Sequence, residues 1–570
     1  MNKKNSYIIN KLLSKKVKSE ISNINPVILQ LLYNRDVFKE NDSEKKRNEK
    51  INNFLNPRYE NLYDPFLLKD MDKAVLRLEK AIKNKEKTVI FGDYDADGVT
   101  SSSVLFEALT FLGSKPLVYI PHREKEGYGL NKEAIDSFKK KKIDLVITVD
   151  CGIRNKEEIS YAKKLKIDVI VTDHHEVDKK DLPNKAIALI NPKQKDCKYP
   201  FKLLAGVGVA YKLAQALIRK AVTSEDRESF LKWLLDFVAI GSIGDMVPLI
   251  DENRILVNYG HIVFDKSRRL GIVEMKKNSR NLNGRFIDFF VAPRINAAGR
   301  MDHALWAFNL LTTQSKIEAY KLLKRIEELN NKRKNLTEVI VAEAKKEIIP
   351  VLPEEKFIFV SKKGWSAAVS GIVSNRLVDE FGLPAFVAAD SGEYSKGSAR
   401  SPRGVDLMKL LSPAASLFEK IGGHKHAAGF TYKSSNKDKI IKLLVKSAAA
   451  IKIDNDSLKI EVDLEVNIQD INLDVYREVL KLAPFGEGNP MPIFILKNVV
   501  VVYKKMVGRN HLKILIEKDG IKKEAIGFNK MHLEPNISQG DNVDIIFRLG
   551  ENEYRGMKSV QVEIIDIIKK

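Results

Sequence analysis

The sequence predicts an α/β protein in which a mainly parallel-sheet domain is joined by a long helix to a smaller α/β lobe and followed by a C-terminal β-barrel. Three observations predict it. Between residue 85 and about 310, short apolar runs (Thr88–Phe91, Leu117–Ile120, Leu145–Val149, Val169–Thr172, Ala186–Ile190) alternate with charged helix-like segments, the pattern of repeated βα units. From Thr312 to about Ile348, a charged stretch without proline carries apolar residues at helical spacing. Near the end, the runs Leu458–Ile468, Pro492–Tyr503, His511–Ile516, Lys523–Phe528, Val543–Arg548 and Val560–Ile567 alternate in strand fashion between turn residues.

At 570 residues the chain has room for roughly three or four domains. The expected divisions are 1–84 (N-terminal helical segment), 85–311 (parallel-sheet domain), 312–350 (connecting helix), 351–455 (second lobe) and 456–570 (barrel). Lys+Arg 97 against Asp+Glu 75 gives a net charge of +22. That excess points to a polyanionic partner, nucleic acid first, while lysine pairs scattered over helical faces account for it equally well. Two cysteines, Cys151 and Cys197, with no CxxC, exclude a disulfide framework and a zinc knuckle and fit a reducing cytoplasm. No window approaches the ~20 apolar residues of a membrane span, and the N-terminus lacks a signal-peptide pattern, so a soluble, cytoplasmic protein is expected.

Taken in order, residues 1–84 read as polar helices, with a clear helical period over Met71–Ile82, and are assigned to packing or substrate guidance. The stretch TVIFGDYDADGVTSSS (88–103) then joins a buried strand to an acidic turn, Asp93, Asp95 and Asp97, whose carboxylates repel unless cations sit among them. Gly98 permits a close turn, and the helix that follows is expected to aim free N–H groups at phosphate. Ligands bind outside the carboxyl ends of strands in open α/β sheets, which directs attention to the other strand ends. These carry Asp150–Cys151–Gly152 and Asp173–His174–His175–Glu176, and FVAIGSIGDMVPL (237–249), read as a further strand end, carries an isolated Asp245. Asp95, Asp97, Asp150, His174 and Asp245 supply oxygen and nitrogen ligands for two divalent ions sharing a carboxylate, an arrangement suited to phosphoryl displacement by water. No P-loop, nucleophile elbow or HExxH is present.

Arg294 and Arg300 flank a small glycine-containing turn, where guanidiniums either hold phosphate or pair with the acidic cluster. In the second lobe Ser398, Arg400, Gly422, Gly423 and His424 are donor-rich and close to tight turns, suited to gripping phosphate or base. In the barrel, basic and aromatic residues (Tyr503, Lys504, Lys505, Arg509, His511, Lys513, Tyr554, Arg555, Lys558) interleave as they would on a single-strand platform or on a solvated strand face.

The motifs DYDADG (93–98), VDCG (149–152), DHH (173–175) and GSIGDMVPL (241–249), in this order, resemble the DHH phosphoesterase superfamily. PHREKEGYGL (121–130), LLAGVGVAYKL (203–213) and APRINAAGRM (292–301) narrow the resemblance to the RecJ family. It implies a single-strand-specific 5′→3′ exodeoxyribonuclease of DNA recombination and repair, using two divalent ions, Mn²⁺ or Mg²⁺. By this resemblance Asp95, Asp97, Asp150, His174 and Asp245 are metal ligands, with Asp93 and His175 as close support. The resemblance gives Arg294 and Arg300 substrate roles and, through the GGHxxAAG element (Gly422, Gly423, His424) of a DHH-associated domain, supports a ligand-facing His424, beside which Ser398 and Arg400 are expected to bind substrate. PFGEGNPMP (484–492) and the strands after it resemble the family's OB-fold. Single-strand-binding protein and a RecQ-type helicase are the implied partners of a monomer. His122 and Ser366 depart from the family pattern, where an acid and a histidine are more usual. Two alternatives are a DHH phosphodiesterase for short RNA or cyclic dinucleotides and a non-catalytic replication scaffold.

Overall fold

The computed structural model describes residues 7–178, 181–222, 226–277, 285–348, 356–449, 459–508, 510–554 and 556–570. Arg509, Arg555, the side chain of Tyr554 and the divisions expected at 350/351 and 455/456 lie outside the described residues.

Five parallel strands form the first sheet, in the spatial order Leu117–Tyr119, Thr88–Gly92, Leu145–Val149, Asp168–Thr172, Ala188–Ile190. Alternate residues of the central strands enter two different cores. Val89, Phe91, Val146 and Val169 pack with Ile135, Phe138 and Ile159 of helices Lys132–Lys140 and Lys156–Lys164. Ile90, Ile147 and Ile170 pack with helices Ala96–Phe111, Gly206–Ala221 and Leu235–Gly244. Burial on both faces explains why these strands read as unbroken β-branched runs rather than alternating ones. Chain order reverses between the Thr88 and Leu145 strands, the switch point at which such sheets bind ligands.

Two local expectations change. Residues 237–249 do not end a strand: Leu235–Gly244 is a helix and Asp245 is its C-terminal cap. Likewise Arg294 and Arg300 lie within the helix Ala292–Met301 rather than around a turn. A short apolar run broken by glycine looks alike as a buried strand or as a helix packed on all sides, and here tertiary enclosure decides.

The 33-residue helix Lys316–Ile348 crosses to the second lobe. Its five-stranded sheet runs Phe418–His424, Ala427–Lys433, Tyr394–Arg400, Ala385–Asp390, Ile358–Lys363, with only the last pair parallel. In the C-terminal domain Phe494–Val507 pairs with both His511–Lys518 and Asn542–Tyr554, and this second pairing closes a five-strand barrel that includes Ile521–Gly527 and Met557–Lys569. The run 458–468 divides into Ile460–Val462 and Leu464–Glu465. The first piece pairs in parallel with Tyr7–Ile9, and only the second joins the barrel sheet.

The N-terminal segment is shared between cores. Leu13, Val17, Ile28, Leu31, Phe38 and Ile51 pack with barrel residues such as Phe494, Ile514 and Phe547, whereas Tyr59, Met71, Val75 and Leu78 belong to the parallel-sheet domain.

Inside that domain Lys212 Nζ lies 2.6 Å from Glu252 Oε1 with both side chains fully buried, and it also donates to the Tyr63 carbonyl at 2.8 Å. Lys212→Met, which strands the Glu252 charge, is expected to cost roughly 3–5 kcal/mol. Lys69→Met, which breaks the exposed 2.7 Å pair with Asp196, should leave the unfolding midpoint nearly unchanged, because solvent screens such a pair. Urea unfolding of the two variants measures both.

Candidate metal centre

The strand Thr88–Gly92 delivers Asp93, Asp95 and Asp97 in succession, and each carboxylate takes a different direction. Asp95 caps the helix Ala96–Phe111, its Oδ1 accepting from the Asp97 and Gly98 N–H groups at 3.0 and 3.1 Å. Asn296 Oδ1 accepts from the Ala96 N–H at 2.8 Å. The N–H groups expected to face phosphate are therefore taken by protein acceptors. Asp97 reaches a second helix, accepting from Gly206 and Val207 N–H groups, both at 2.7 Å, at the start of Gly206–Ala221. Gly206 is required by close approach, since a Cβ there would lie 2.6 Å from Asp150 Oδ1.

Asp150 ends the strand Leu145–Val149 in the left-handed region (φ 59°), and its N–H donates to the Thr172 carbonyl at 3.0 Å. His174 Nε2 lies 3.2 Å from Asp150 Oδ1, 3.7 Å from Asp245 Oδ2 and 3.8 Å from Asp97 Oδ2. Three groups of side chains offer ligand atoms mutually within 4.8 Å: Asp93, Asp95 and Asp150; Asp97, His174 and Asp245; and Asp150, His174 and His175. Asp150 belongs to two of them, which is the geometry of a shared carboxylate. All seven residues expected at the centre from sequence thus converge. Asp93 sits among the acids with its buried Oδ1 unpartnered, and the buried Asp150 Oδ1 accepts no hydrogen bond although His174 Nε2 lies 3.2 Å away.

Burial, and then the charge of Asp95, pushes the Asp97 carboxyl up to about 7. Burial and neighbouring aspartates also hold Asp93, Asp150 and Asp245 well above the usual carboxylate range. Burial, helped by His175, lowers His174 to about 3, leaving a neutral imidazole, the form that ligates metal. Buried, orphaned carboxylate oxygens beside a neutral imidazole fit divalent cations of the Mn²⁺ and Mg²⁺ type.

Asp173 has a different task. Its Oδ1 accepts from the His174 and His175 N–H groups at 2.7 and 3.0 Å and lies 2.8 Å from His175 Nδ1, while Oδ2 accepts from Ile153 N–H at 2.9 Å. Burial, the largest single effect, opposes charge on His175, but the Asp173 hydrogen bond and the charges of Asp173, Asp245 and Asp93 together outweigh it and lift the imidazole to about 9. Asp173 thereby fixes the backbone that presents His174. The sequence signal was its place inside the DHH motif.

The arginines separate. Arg294 is committed to Glu327 of the connecting helix (Nε–Oε1 2.7 Å, Nη2–Oε2 3.1 Å) and stacks over Phe290, so it braces that helix rather than offering free donors. Arg300 donates to the Ala368 carbonyl at 3.0 Å, just before the helix Ser370–Phe381 of the second lobe. On the same side Arg400 Nη2 and Ser398 Oγ would lie 3.1 and 3.6 Å from a Cβ built on Gly371, at that helix's first turn. Burial, then Arg123 and further on Arg333 and Arg400, lowers Arg300 to about 9. Arg123, which stacks on Tyr94, and Arg333 of the connecting helix were not singled out from sequence; Arg123 stood inside the quoted PHREKEGYGL, but no local pattern marked it. Gly422, Gly423 and His424 are exposed on Phe418–His424, where the charge of Arg400, and more weakly that of Lys193 from the first domain, acts on His424.

Comparison with known proteins matches three parts of the chain. The DHH family N-terminal domain matches residues 87–242, the DHHA1 domain 354–450 and the RecJ OB domain 462–566. The single-stranded-DNA-specific exonuclease RecJ of Bacillus subtilis (strain 168) is 38% identical over 562 residues, covering 97% of this chain and 69% of that protein. RecJ of Haemophilus influenzae is 31% identical over 542 residues, covering 90% and 93%. The crystal structure of RecJ in complex with Mn²⁺ from Thermus thermophilus aligns with a TM-score of 0.83 at 26% identity, covering 100% of this chain and 80% of that one. The corresponding Mg²⁺ complex gives 0.77 at 25% identity, covering 100% and 79%.

Asp150→Asn is expected to keep its metal-free melting temperature, because a neutral amide replaces a carboxyl whose charged form burial already disfavours. It should lose the rise that Mn²⁺ confers on the unchanged chain, about 2.7 kcal/mol at a hundredfold excess over Kd. Calorimetry with Mn²⁺ and with chelator measures both.

Proposed function

The chain belongs to the RecJ family, and from that premise we propose that it is a metal-dependent, single-stranded-DNA-specific exonuclease that hydrolyses phosphodiester bonds from the 5′ end, in DNA recombination and repair. The observation that carries this reading is the carboxylate–imidazole cluster on one domain facing guanidiniums contributed by both lobes. Asp95, Asp97, Asp150, His174 and Asp245 would hold two divalent ions, with Asp93 adjacent. Bound there, such ions supply Lewis acidity to activate water and to neutralise charge on the phosphoryl oxygens.

The remaining work falls to side chains. Arg123, Arg300, Arg400 and Ser398, beside the first turn of Ser370–Phe381, form a donor-rich surface for phosphate. A terminal phosphate held there would leave the adjoining internucleotide bond for the acidic cluster, and the family resemblance supports 5′→3′ polarity. The barrel presents Val500, Tyr503, Met506 and Phe528 as exposed apolar surface for base stacking. The barrel speaks against a phosphodiesterase restricted to dinucleotides, and the intact cluster speaks against a non-catalytic scaffold. The family resemblance alone supports a single-strand-binding protein and a RecQ-type helicase as partners of a cytoplasmic monomer. No described helix is long and apolar enough to cross a membrane.

End-labelled single-stranded, duplex and dinucleotide substrates, with Mn²⁺ and with chelator, test the reading. Rapid release of mononucleotides from the 5′ end of single strands is expected, and preference for dinucleotides would overturn it. Arg400→Ala should lose about 1.5–3 kcal/mol of phosphate binding, roughly 10- to 150-fold in kcat/KM, together with any preference for a 5′-phosphate over a 5′-hydroxyl.

A further inference from the structure

The PFGEGNPMP stretch (484–492) takes no part in the chemistry above, yet it touches the segment that follows Asp245. Asp95 and Asp97 are braced by helix N–H groups, Asp150 extends a central strand, and His174 hydrogen-bonds the Leu204 backbone. Asp245 depends on its own backbone. It caps the helix Leu235–Gly244, and the chain then turns through Met246 at φ 57°, a left-handed conformation that disfavours a non-glycine residue. The turn is closed locally, Met246 N–H donating to the Ile243 carbonyl at 3.1 Å and Val247 N–H to the Ser242 carbonyl at 3.2 Å, and the chain beyond it is held as well.

The anchor comes from the C-terminal domain. Leu249 N–H donates to the Glu487 carbonyl at 2.7 Å. Gly486 and Gly488 lie flat against the same segment: a Cβ on Gly486 would be 2.7 Å from Leu249 Cδ1, and one on Gly488 (φ 72°) 3.0 Å from Pro248 Cβ. The loop is itself fastened, because the buried Asn489 amide donates to the Leu482 and Pro484 carbonyls, both at 2.8 Å, and accepts from Arg35 Nε at 2.8 Å. Arg254, from the metal domain, donates to the Leu482 and Ala483 carbonyls at 2.8 Å. Asn253 Nδ2 completes the connection, donating to Pro248 O at 3.0 Å and to Leu203 O at 2.7 Å, one residue from Leu204.

We propose that the Phe485–Pro490 loop of the barrel domain is a positioning element for Asp245, so that docking of the C-terminal domain strengthens cation binding at the metal centre. The inference rests on the reading of Asp245 as a ligand.

The test uses the full chain as Gly488→Val, Asp245→Asn and the double variant, with Mn²⁺ binding read from the electron paramagnetic resonance of the free ion. Binding of single-stranded DNA in chelator is measured in parallel by fluorescence anisotropy. Gly488→Val is expected to weaken Mn²⁺ binding about tenfold, the scale for losing the support behind a ligand. Asp245→Asn should weaken it at least as much, and the double variant no further, with DNA affinity in chelator unchanged throughout. Unaltered Mn²⁺ binding by Gly488→Val beside a weakened Asp245→Asn overturns the positioning role and leaves the ligand assignment standing. Unaltered binding by Asp245→Asn overturns that assignment itself, and additive losses in the double variant overturn the coupling. Gly486→Ala, whose added methyl meets only the flexible end of Leu249, serves if Gly488→Val does not fold: weaker Mn²⁺ binding supports the loop's role and unchanged binding refutes it.

Discussion

Carboxylates crowded at the carboxyl end of a parallel sheet repel one another, and much of the surrounding structure serves to keep them there. Two helix N-termini point at the cluster, one capped by Asp95 and the other by Asp97, so that backbone dipoles offset part of the charge. Gly206 lets the second of these helices start against Asp150. Asp173 faces away from the acids and spends its hydrogen bonds on the two histidines and the Ile153 N–H. The charge left uncompensated is what makes the centre a cation site rather than a core.

Opposite charge is arranged at a distance. Arg300 joins the metal domain to the second lobe through the Ala368 carbonyl, and Arg123, Arg333 and Arg400 act on it from three other elements. Mutual repulsion among guanidiniums is costly in the same way as among carboxylates; an anion relieves the first and cations the second. Arg294 is held out of this arrangement by Glu327, which fixes the connecting helix and so the separation of the lobes.

The ends of the chain fold together. Helices before residue 55 complete the core under the barrel, and Tyr7–Ile9 pairs with Ile460–Val462. Barrel and metal domain then meet just beyond the Asp245 turn, where the Phe485–Pro490 loop packs on Pro248 and Leu249.

The buried strands of the first sheet, the connecting helix and the seven acidic and imidazole side chains that come together at that sheet's strand ends were legible in the sequence, because burial, helical period and side-chain chemistry leave local marks. The conformation carrying Asp245, the role of Asp173, the N–H groups closed off by Asp95 and Asn296, and the divergence of Arg294 from Arg300 were not. Each depends on a partner distant in sequence or on which faces of a segment are covered, as with Arg294 and Glu327 or Leu249 and Glu487. Side-chain type and spacing determined which atoms were available to bind cations and phosphate. Only the tertiary structure decided which of them were already paired, because pairing is set by distances that no local period encodes.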